Sequence, residues 1–130
     1  TFMITVLVAD DHTVLRDGLR YLLEAQGDIQ IVGMAANGQE AVDQAIQYCP
    51  DVVVMDISMP VMNGIEATKL ICRSCRNTKV VILSMHHTAE YMQRALEAGA
   101  QGYLLKDSAG TELVTAIRAL NHGQPYFSHK

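Results

Sequence analysis

The chain has 130 residues, of which 49% are hydrophobic and 18% are charged. This length and composition predict one folded domain with a sizeable core and give no sign of disorder. A formal net charge of −4 argues against a dominant nucleic-acid-binding surface, because such surfaces carry clustered basic residues. The chain has no apolar stretch of membrane-spanning length and no positively charged region typical of a signal peptide, so we expect a cytoplasmic protein that does not associate with membranes.

Five apolar runs alternate with amphipathic helical patterns, and this alternation predicts a parallel α/β sheet. Strands are predicted at residues 4–9, 29–32, 52–55, 79–83 and 102–105. Helices are predicted at residues 15–23, 41–46, 65–71, 88–98 and 113–120. Asn37 and Glu40 form a capping-box pattern before the second helix, and Ser108 is placed to cap the last helix. The wholly apolar third run indicates a central strand that is covered on both faces.

Polar residues stand at the carboxyl ends of four of these runs. They are two carboxylates after the first strand, one after the third, a hydroxyl after the fourth and an ammonium after the fifth, namely Asp10, Asp11, Asp56, Ser84 and Lys106. The carboxyl ends of parallel strands meet at one edge of the sheet, where ligands bind in such folds. We therefore expect a site for a divalent cation and a phosphoryl group at this edge.

The neighbouring carboxylates give a physical reason for the cation. Two of them repel by about 4 kcal/mol at a separation of about 4 Å in a medium with an effective dielectric constant of about 20, so the cluster destabilises the fold unless a cation relieves it. Mg²⁺ takes oxygen ligands and commonly binds through one or two carboxylates and a phosphate. A carboxylate that ends a central strand, as Asp56 does, is held rigidly enough to attack phosphorus in line, which predicts an acyl phosphate.

Several segments resemble the receiver domain of two-component response regulators. The matching residues and segments are the Asp10-Asp11 pair, DISMPVMNG at 56–64, Ser84, and Lys106 within LLKD. Details similar to the NarL/FixJ subfamily are VADDH at 8–12, SMH at 84–86 and GYLLK at 102–106. The resemblance implies a doubly wound, flavodoxin-like (CheY-like) fold, in which a five-stranded parallel sheet has the order 2-1-3-4-5 and helices on both faces.

The resemblance also implies the chemistry of the site. Asp56 is the expected phosphoacceptor, and the donor is a phosphohistidine on a sensor histidine kinase or a phosphotransfer protein. Mg²⁺ is the expected cofactor, with Asp11 and Asp56 as direct ligands and Asp10 acting mainly through water. The backbone carbonyl of Ser58 is expected to supply another oxygen ligand. On this interpretation the chain is a signalling switch that assists its own phosphorylation and dephosphorylation, and it is not an enzyme.

Further roles follow from the same resemblance. Lys106 and Ser84 are expected to bind the oxygens of the phosphoryl group. Ser84 and Tyr103 are expected to form the switch, with the tyrosine ring turning inward when the serine hydroxyl moves toward the phosphoryl group. His86 and Ser58 flank the path of the hydrolytic water, so we expect their size and charge to tune dephosphorylation.

The resemblance covers most of the chain and suggests what the domain controls. We expect a receiver domain at residues 3–123, and residues 124–130 contain glycine, proline and polar residues suited to the start of a linker. NarL/FixJ members usually carry a helix-turn-helix domain after the receiver, so we expect transcription regulation, with DNA bound only through that output domain. Phosphorylation-dependent pairing of receivers along the first and fifth helices is a further expectation. A stand-alone receiver in a phosphorelay, or one contacting a motility partner, is the alternative.

Two other classes of function fit the sequence less well. A metal-dependent phosphohydrolase also forms an aspartyl phosphate, but the second acid of its motif is misplaced, His12 occupies the general-acid position, and no cap insertion is present. A constitutive interaction domain with a vestigial site would not need all five polar residues. Glycine-rich nucleotide-binding motifs are absent from the sequence.

The cysteines and histidines give weaker signals. Three cysteines are an odd number without a disulfide framework, so we expect reduced thiols. Cys72 and Cys75 have redox-motif spacing, but they lie in or at the end of the third helix without the strand that such a motif needs before it. His86 and His87 are adjacent and point in different directions, which disfavours joint metal binding.

Overall fold

The computed structural model describes residues 3–86 and 88–128. The strands are β1 Ile4–Ala9, β2 Ile29–Ala35, β3 Val52–Asp56, β4 Lys79–Ser84, β5 Gly102–Leu105 and β6 Tyr126–Phe127. The helices are α1 Thr13–Glu24, α2 Gly38–Tyr48, α3 Gly64–Ser74, α4 Ala89–Ala98 and α5 Ala109–Asn121, with a short 3₁₀ turn at Lys106–Ser108 before α5. In the described ranges no helix combines the length and apolar character needed to cross a bilayer.

All strands pair in parallel, in the order β2-β1-β3-β4-β5-β6. The predicted fold class and the predicted order of the first five strands are therefore confirmed.

The central strand explains why both faces of the sheet are covered. Val53 and Met55 of β3 pack into one apolar cluster with α2, α3 and α4, whereas Val52 and Val54 pack into another with α1 and α5. Successive side chains of a strand point to opposite faces, so one apolar run supplies both clusters.

Strands β3 and β4 each extend one residue further than the sequence pattern indicated. Asp56 is the last residue of β3 and Ser84 is the last residue of β4, and both are buried. Their backbone is therefore fixed by sheet pairing, with Asp56 opposite Leu83 and Ser84 opposite Leu105. Rigid strands, and not flexible loops, position these two polar side chains.

The helix starts agree with the sequence at one position and differ at another. The Asn37 side chain accepts a hydrogen bond from the Glu40 backbone N–H, so the predicted cap forms. The Glu40 side chain accepts from the backbone N–H of Ala36, one residue before the cap, so the reciprocal bond of a capping box is shifted by one residue. The prediction for Ser108 is wrong, because its side chain makes no capping hydrogen bond. Residues Lys106–Ser108 form a 3₁₀ turn that leads directly into α5, which leaves Ser108 in a helical conformation without the extended backbone of a usual cap.

The sheet has a sixth strand that the sequence analysis did not predict. Strand β6 lies in the segment assigned to a linker and pairs in parallel with β5, placing Phe127 opposite Tyr103. The Ser128 backbone nitrogen donates to the Tyr103 carbonyl at 2.9 Å, and the Tyr126 hydroxyl donates to Glu112 of α5 at 2.9 Å. A two-residue strand has too few positions to show a periodic pattern. That this segment leads toward another domain stays a prediction.

Candidate functional site

The carboxyl edge of the sheet brings together the five polar residues singled out from the sequence. The Lys106 ammonium lies 3.2 Å from Asp56 Oδ1 and 3.5 Å from Asp10 Oδ2. The two carboxyl groups are almost fully buried, with exposed fractions of 1% for Asp10 and 2% for Asp56. One ammonium thus faces two buried carboxylates, which leaves the cluster with an excess of negative charge.

Burial and like charge shift the protonation of Asp56. Burial first, and the like charge of the neighbouring Asp10 carboxylate second, raise the pKa of the Asp56 carboxyl from 3.8 to about 6. The Lys106 ammonium and the Ser58 backbone N–H, which donates to Asp56 Oδ1 at 3.3 Å, act in the opposite direction. The raised pKa shows that one ammonium does not fully compensate the buried charge of Asp56.

Two carboxylate oxygens of the cluster could bind an additional cation. Within the described part of the chain, Asp10 Oδ2 and Asp56 Oδ2 are buried and accept no hydrogen bond. Oxygens of Asp10, Asp11 and Asp56 and a ring nitrogen of His12 all lie within 4.8 Å of one another. Orphaned buried carboxylate oxygens are costly, and a small divalent cation is the partner that satisfies several of them together. The donor set therefore fits a cation.

The loop after β3 is shaped by glycine and by one strained residue. The Gly64 N–H donates to the Ile57 carbonyl at 2.8 Å, and a side chain at position 64 would collide with the Asp56 carbonyl. Val61 has φ of 70°, a left-handed conformation that is rare for a β-branched residue. Asn63 accepts a hydrogen bond from the Glu66 backbone and starts α3. The loop thus turns sharply directly after Asp56 and leads into α3.

A cavity of about 60 Å³ lies beside the Asp56 carboxylate. Its lining residues are His12, Asp56, Ile57, Ser58, Ser84, Met85, His86 and Lys106. The hydroxyl of Ser84 accepts a hydrogen bond from the His86 backbone nitrogen at 2.9 Å. A carboxylate, a hydroxyl and an ammonium therefore border one small polar cavity, whose size suits a compact anionic group and excludes a large ligand.

Tyr103 lies behind this cavity with its ring buried in the core. Its hydroxyl donates to the His86 carbonyl at 2.8 Å, and burial raises the pKa of this hydroxyl above its ordinary value. The His86 ring stacks on Tyr91 of α4, with ring centroids 4.6 Å apart and planes inclined by 13°. Ser84, Tyr103 and α4 therefore all contact the same residue of the β4–α4 loop.

Two residues near the carboxylates were not given a role from the sequence. The His12 Nδ1 atom lies 3.1 Å from Asp10 Oδ1 and 3.3 Å from Asp11 Oδ1. The Arg16 guanidinium donates to the backbone carbonyl of Asp10 at 2.7 Å. His12 directly follows the acidic pair and Arg16 lies one helical turn further on, so the spacing is the only signal in the sequence that could have identified them.

The cysteines lie away from the carboxylates. The Cys72 thiol points to the Gly99 carbonyl and the Cys75 thiol to the Ala45 carbonyl, while Cys49 is exposed at the end of α2. Burial raises the pKa of the Cys72 and Cys75 thiols, which disfavours the reactive thiolate. The structure therefore gives these two thiols packing roles. His87, the second histidine of the adjacent pair, lies outside the described residues.

A doubly wound parallel sheet with an acidic cluster, a lysine and a hydroxyl at its carboxyl edge defines a class of phosphoryl-signalling domain. The family model for the response regulator receiver domain matches residues 6–118. The chain belongs to this family.

Relatives and solved structures agree on the subfamily. The chain is 44% identical over 128 residues to the transcriptional regulatory protein LiaR of Bacillus subtilis, covering 98% of this chain and 61% of LiaR. It is 42% identical to the response regulator UvrY of Escherichia coli, covering 97% of this chain and 58% of UvrY. The receiver domain of the response regulator NarL from Mycobacterium tuberculosis superposes with a TM-score of 0.90 and 34% identity, covering 95% of this chain and all of that one. The predicted likeness to NarL-type regulators is confirmed.

Proposed function

We propose that this domain is a phosphorylation-controlled switch in which Asp56 accepts a phosphoryl group from a phosphohistidine on a histidine kinase or phosphotransfer protein. In the reaction a carboxylate oxygen of Asp56 attacks phosphorus, the new O–P bond forms as the P–N bond breaks, and the imidazole leaves. The observation that carries the proposal is the geometry around Asp56. Its buried carboxylate ends a central strand, lies 3.2 Å from Lys106 and opens into a small polar cavity.

Asp10, Asp11 and Asp56 would hold Mg²⁺, with the Ser58 carbonyl as a further oxygen ligand. The buried oxygens of Asp10 and Asp56 that lack hydrogen bonds support this assignment. When bound, the ion neutralises charge on the phosphoryl oxygens. Asp10 is also held by the backbone N–H of His12 at 2.8 Å, so it orients the cluster from the end of β1.

Lys106 and Ser84 bind the oxygens of the transferred group. Lys106 is a point cation that already contacts Asp56, so it can move onto a phosphoryl oxygen without crossing the cavity. Ser84 ends the neighbouring strand β4, and its hydroxyl exchanges the His86 N–H for a phosphoryl oxygen. A positive charge and a hydroxyl donor then stabilise the charge that Asp56 acquires.

Ser84 and Tyr103 couple this site to the surface formed by α4, β5 and α5. Both side chains contact the backbone of His86, and the His86 ring stacks on Tyr91 of α4. When the Ser84 hydroxyl turns toward a phosphoryl oxygen, it leaves the His86 N–H without its acceptor. Loss of this hydrogen bond favours a rearrangement of the β4–α4 loop. The His86 carbonyl, which accepts from the Tyr103 hydroxyl, then moves with the loop.

The surface around the site suits a protein donor. Val14, Val61 and Met85 are 86%, 80% and 78% exposed and lie on α1, on the β3–α3 loop and on the β4–α4 loop. These three segments adjoin the acidic cluster. Exposed apolar side chains around a charged centre are typical of an interaction surface, which fits a kinase or phosphotransfer partner better than a small substrate.

The output of the switch is proposed from the relatives. The chain spans about three fifths of the length of the curated relatives it matches. Two similar structures are described as LuxR-family response regulators, one of them DNA-binding. We infer that this receiver controls a DNA-binding output domain in a longer transcription regulator, through receiver pairing along α1 and α5. A stand-alone receiver in a phosphorelay is the alternative.

One labelling experiment tests the phosphoacceptor. The domain is incubated with acetyl phosphate and Mg²⁺, and the gain of one acid-labile phosphoryl group is measured by intact mass for the natural chain, for Asp56→Asn and for Asp17→Asn, an exposed aspartate on α1. We expect labelling of the natural chain and of Asp17→Asn, and none of Asp56→Asn. Undiminished labelling of Asp56→Asn would reject the assignment. Steady turnover of an external phosphomonoester would instead support the hydrolase class.

A further inference from the structure

We propose that His12 makes the acidic cluster a site for Zn²⁺, in which the imidazole Nδ1 joins Asp10, Asp11 and Asp56 as a fourth ligand. The inference deepens the proposed cation site and rests on it. It predicts that the same cluster distinguishes two kinds of divalent ion. Mg²⁺ would be bound by oxygen atoms alone, and Zn²⁺ would recruit the imidazole.

The spacing of the ligand atoms supports this arrangement. A tetrahedral zinc site with bonds of about 2.0 Å separates neighbouring ligand atoms by about 3.3 Å. The His12 Nδ1 atom lies 3.1 Å from Asp10 Oδ1 and 3.3 Å from Asp11 Oδ1. The four candidate ligand atoms all lie within 4.8 Å of one another. To enclose one ion, separations of up to 4.8 Å must close to about 3.3 Å, and the Lys106 ammonium, 3.2 Å from Asp56 Oδ1, must move aside.

The position of His12 is the second observation. It is the residue that precedes α1, where a side chain usually caps the exposed N–H groups of the helix, yet its side chain makes no capping hydrogen bond. Its ring is instead directed at the carboxylates of Asp10 and Asp11. The side chain is 63% exposed, so it can adjust to a metal ion without disturbing the core.

The chemistry of the donor set selects the ion. Imidazole nitrogen suits Zn²⁺ and other borderline metals, whereas Mg²⁺ prefers oxygen ligands in an octahedron and keeps several waters. The ring nitrogen of His12 that faces the carboxylates is Nδ1, and a metal ion binds the neutral imidazole through a ring nitrogen that carries no proton. When Zn²⁺ binds Nδ1, a neutral imidazole keeps its proton on Nε2, and an imidazolium releases one proton to solvent.

The zinc state would oppose phosphorylation. A tetrahedral ion with four protein ligands has no open position for a phosphoryl oxygen. One of its ligands is Asp56, the proposed nucleophile, whose carboxylate would be engaged by the metal. Zn²⁺ would therefore compete with Mg²⁺ and hold the switch in its unphosphorylated form, and His12 would set how strongly it competes.

The test compares metal affinities in the natural chain, in His12→Asn and in His122→Asn, a control histidine at the end of α5. Zn²⁺ and Mg²⁺ affinities are measured by calorimetry, and Co²⁺ is added as a visible-absorption probe of nitrogen coordination. We expect His12→Asn to lower Zn²⁺ affinity by about tenfold or more and Mg²⁺ affinity by less than about twofold. His122→Asn should leave both affinities unchanged, and thermal melts confirm that each variant is folded.

Two results would overturn the proposal. One is equal Zn²⁺ affinity in the natural chain and His12→Asn, and the other is a Co²⁺ spectrum dominated by thiolate bands, which would place the metal at the cysteines. Labelling of Asp56 by acetyl phosphate is measured on the same samples with Mg²⁺, with and without Zn²⁺. Absence of labelling with Mg²⁺ alone contradicts the proposed function, whereas the affinity comparison decides the role of His12 by itself.

Discussion

The hydroxyl of Tyr103 donates a 2.8 Å hydrogen bond to the backbone carbonyl of His86. The backbone nitrogen of the same His86 donates to the Ser84 hydroxyl at 2.9 Å. The two residues proposed as the switch are therefore connected through the backbone of His86. Any movement of the Ser84 hydroxyl changes the hydrogen bonding of the residue that anchors the tyrosine.

Removing the Tyr103 hydroxyl should lower the stability of the fold and weaken the coupling between the site at Asp56 and α4. Tyr103→Phe leaves the His86 carbonyl without this donor, so we expect the free energy of unfolding to fall by about 1 kcal/mol. Beryllofluoride, which mimics the phosphoryl group, should still bind near Asp56 but should produce smaller chemical-shift changes along α4. Tyr21→Phe, at an exposed position on α1, is the control. Shift changes along α4 equal to those of the natural chain would remove Tyr103 from the switch.

The raised pKa of Asp56 predicts how stability depends on pH. The carboxyl titrates near 3.8 in the unfolded chain and at about 6 in the fold. The folded state thus holds the proton more tightly, so this contribution to stability is fully present below about pH 4 and is lost as pH rises through about 6. Two pKa units correspond to about 3 kcal/mol.

Asp56→Asn cannot ionise and isolates this contribution. Urea unfolding of the natural chain and of Asp56→Asn, without divalent cations, should give a stability difference in favour of the variant that grows between about pH 4 and 7, by up to about 3 kcal/mol. Asp17→Asn, at an exposed position on α1, is the control for the loss of one carboxylate. A difference that stays constant over this range would contradict the raised pKa.

The sequence was sufficient to predict most of the sheet, because its strands carry a strong pattern. The wholly apolar run of β3 identified the central strand, and the alternation of strands and helices identified the parallel sheet. The polar residues at the strand ends could be placed at one edge of the sheet because parallel strands run in the same direction. Such regular features are encoded in the local sequence, so they can be predicted without knowledge of the tertiary structure.

The last strand and the irregular geometry of two loops could not be predicted in this way. Strand β6 depends on the open edge of β5, and two residues carry no periodic signal. The stacking of His86 on Tyr91 joins a loop to a helix whose angle no local pattern fixes. The left-handed backbone of Val61 is also unexpected, because a β-branched residue argues against it and only the surrounding loop imposes it.

The lifetime of the phosphoryl group should depend on the rim of the cavity. His86 and Ser58 both line the cavity beside Asp56, and the His86 ring is held at the rim by stacking on Tyr91. His86→Ala and Ser58→Ala widen the approach for water, so we expect phosphoryl loss to become several-fold faster in both variants. Decay of the labelled protein is followed by mass, with His122→Ala as the control. Equal half-lives of the phosphoryl group in the natural chain, His86→Ala and Ser58→Ala would show that the rim of the cavity does not control hydrolysis.

Relief of the strain at Val61 should stabilise the fold. A left-handed backbone costs about 1–2 kcal/mol for a residue with a Cβ atom, and Val61 is exposed, so little packing is lost on substitution. Val61→Gly should raise the free energy of unfolding by about 1 kcal/mol after the greater freedom of glycine in the unfolded chain is included. Val61→Ala keeps the Cβ atom and should gain much less. Equal stability of the glycine and alanine variants in urea unfolding would contradict this explanation.

Strand β6 should depend on the hydrogen bond that joins it to α5. The Tyr126 hydroxyl donates to Glu112, and the adjacent pairing places the Ser128 N–H on the Tyr103 carbonyl. Tyr126→Phe removes about 1 kcal/mol of hydrogen bonding, so the segment should open more often and the Ser128 amide should exchange with deuterium about fivefold faster. Amides of β3 should be unaffected, and Tyr48→Phe, at an exposed position on α2, serves as the control. An unchanged exchange rate at Ser128 would mean that the backbone pairing with β5 holds this strand without help from the tyrosine.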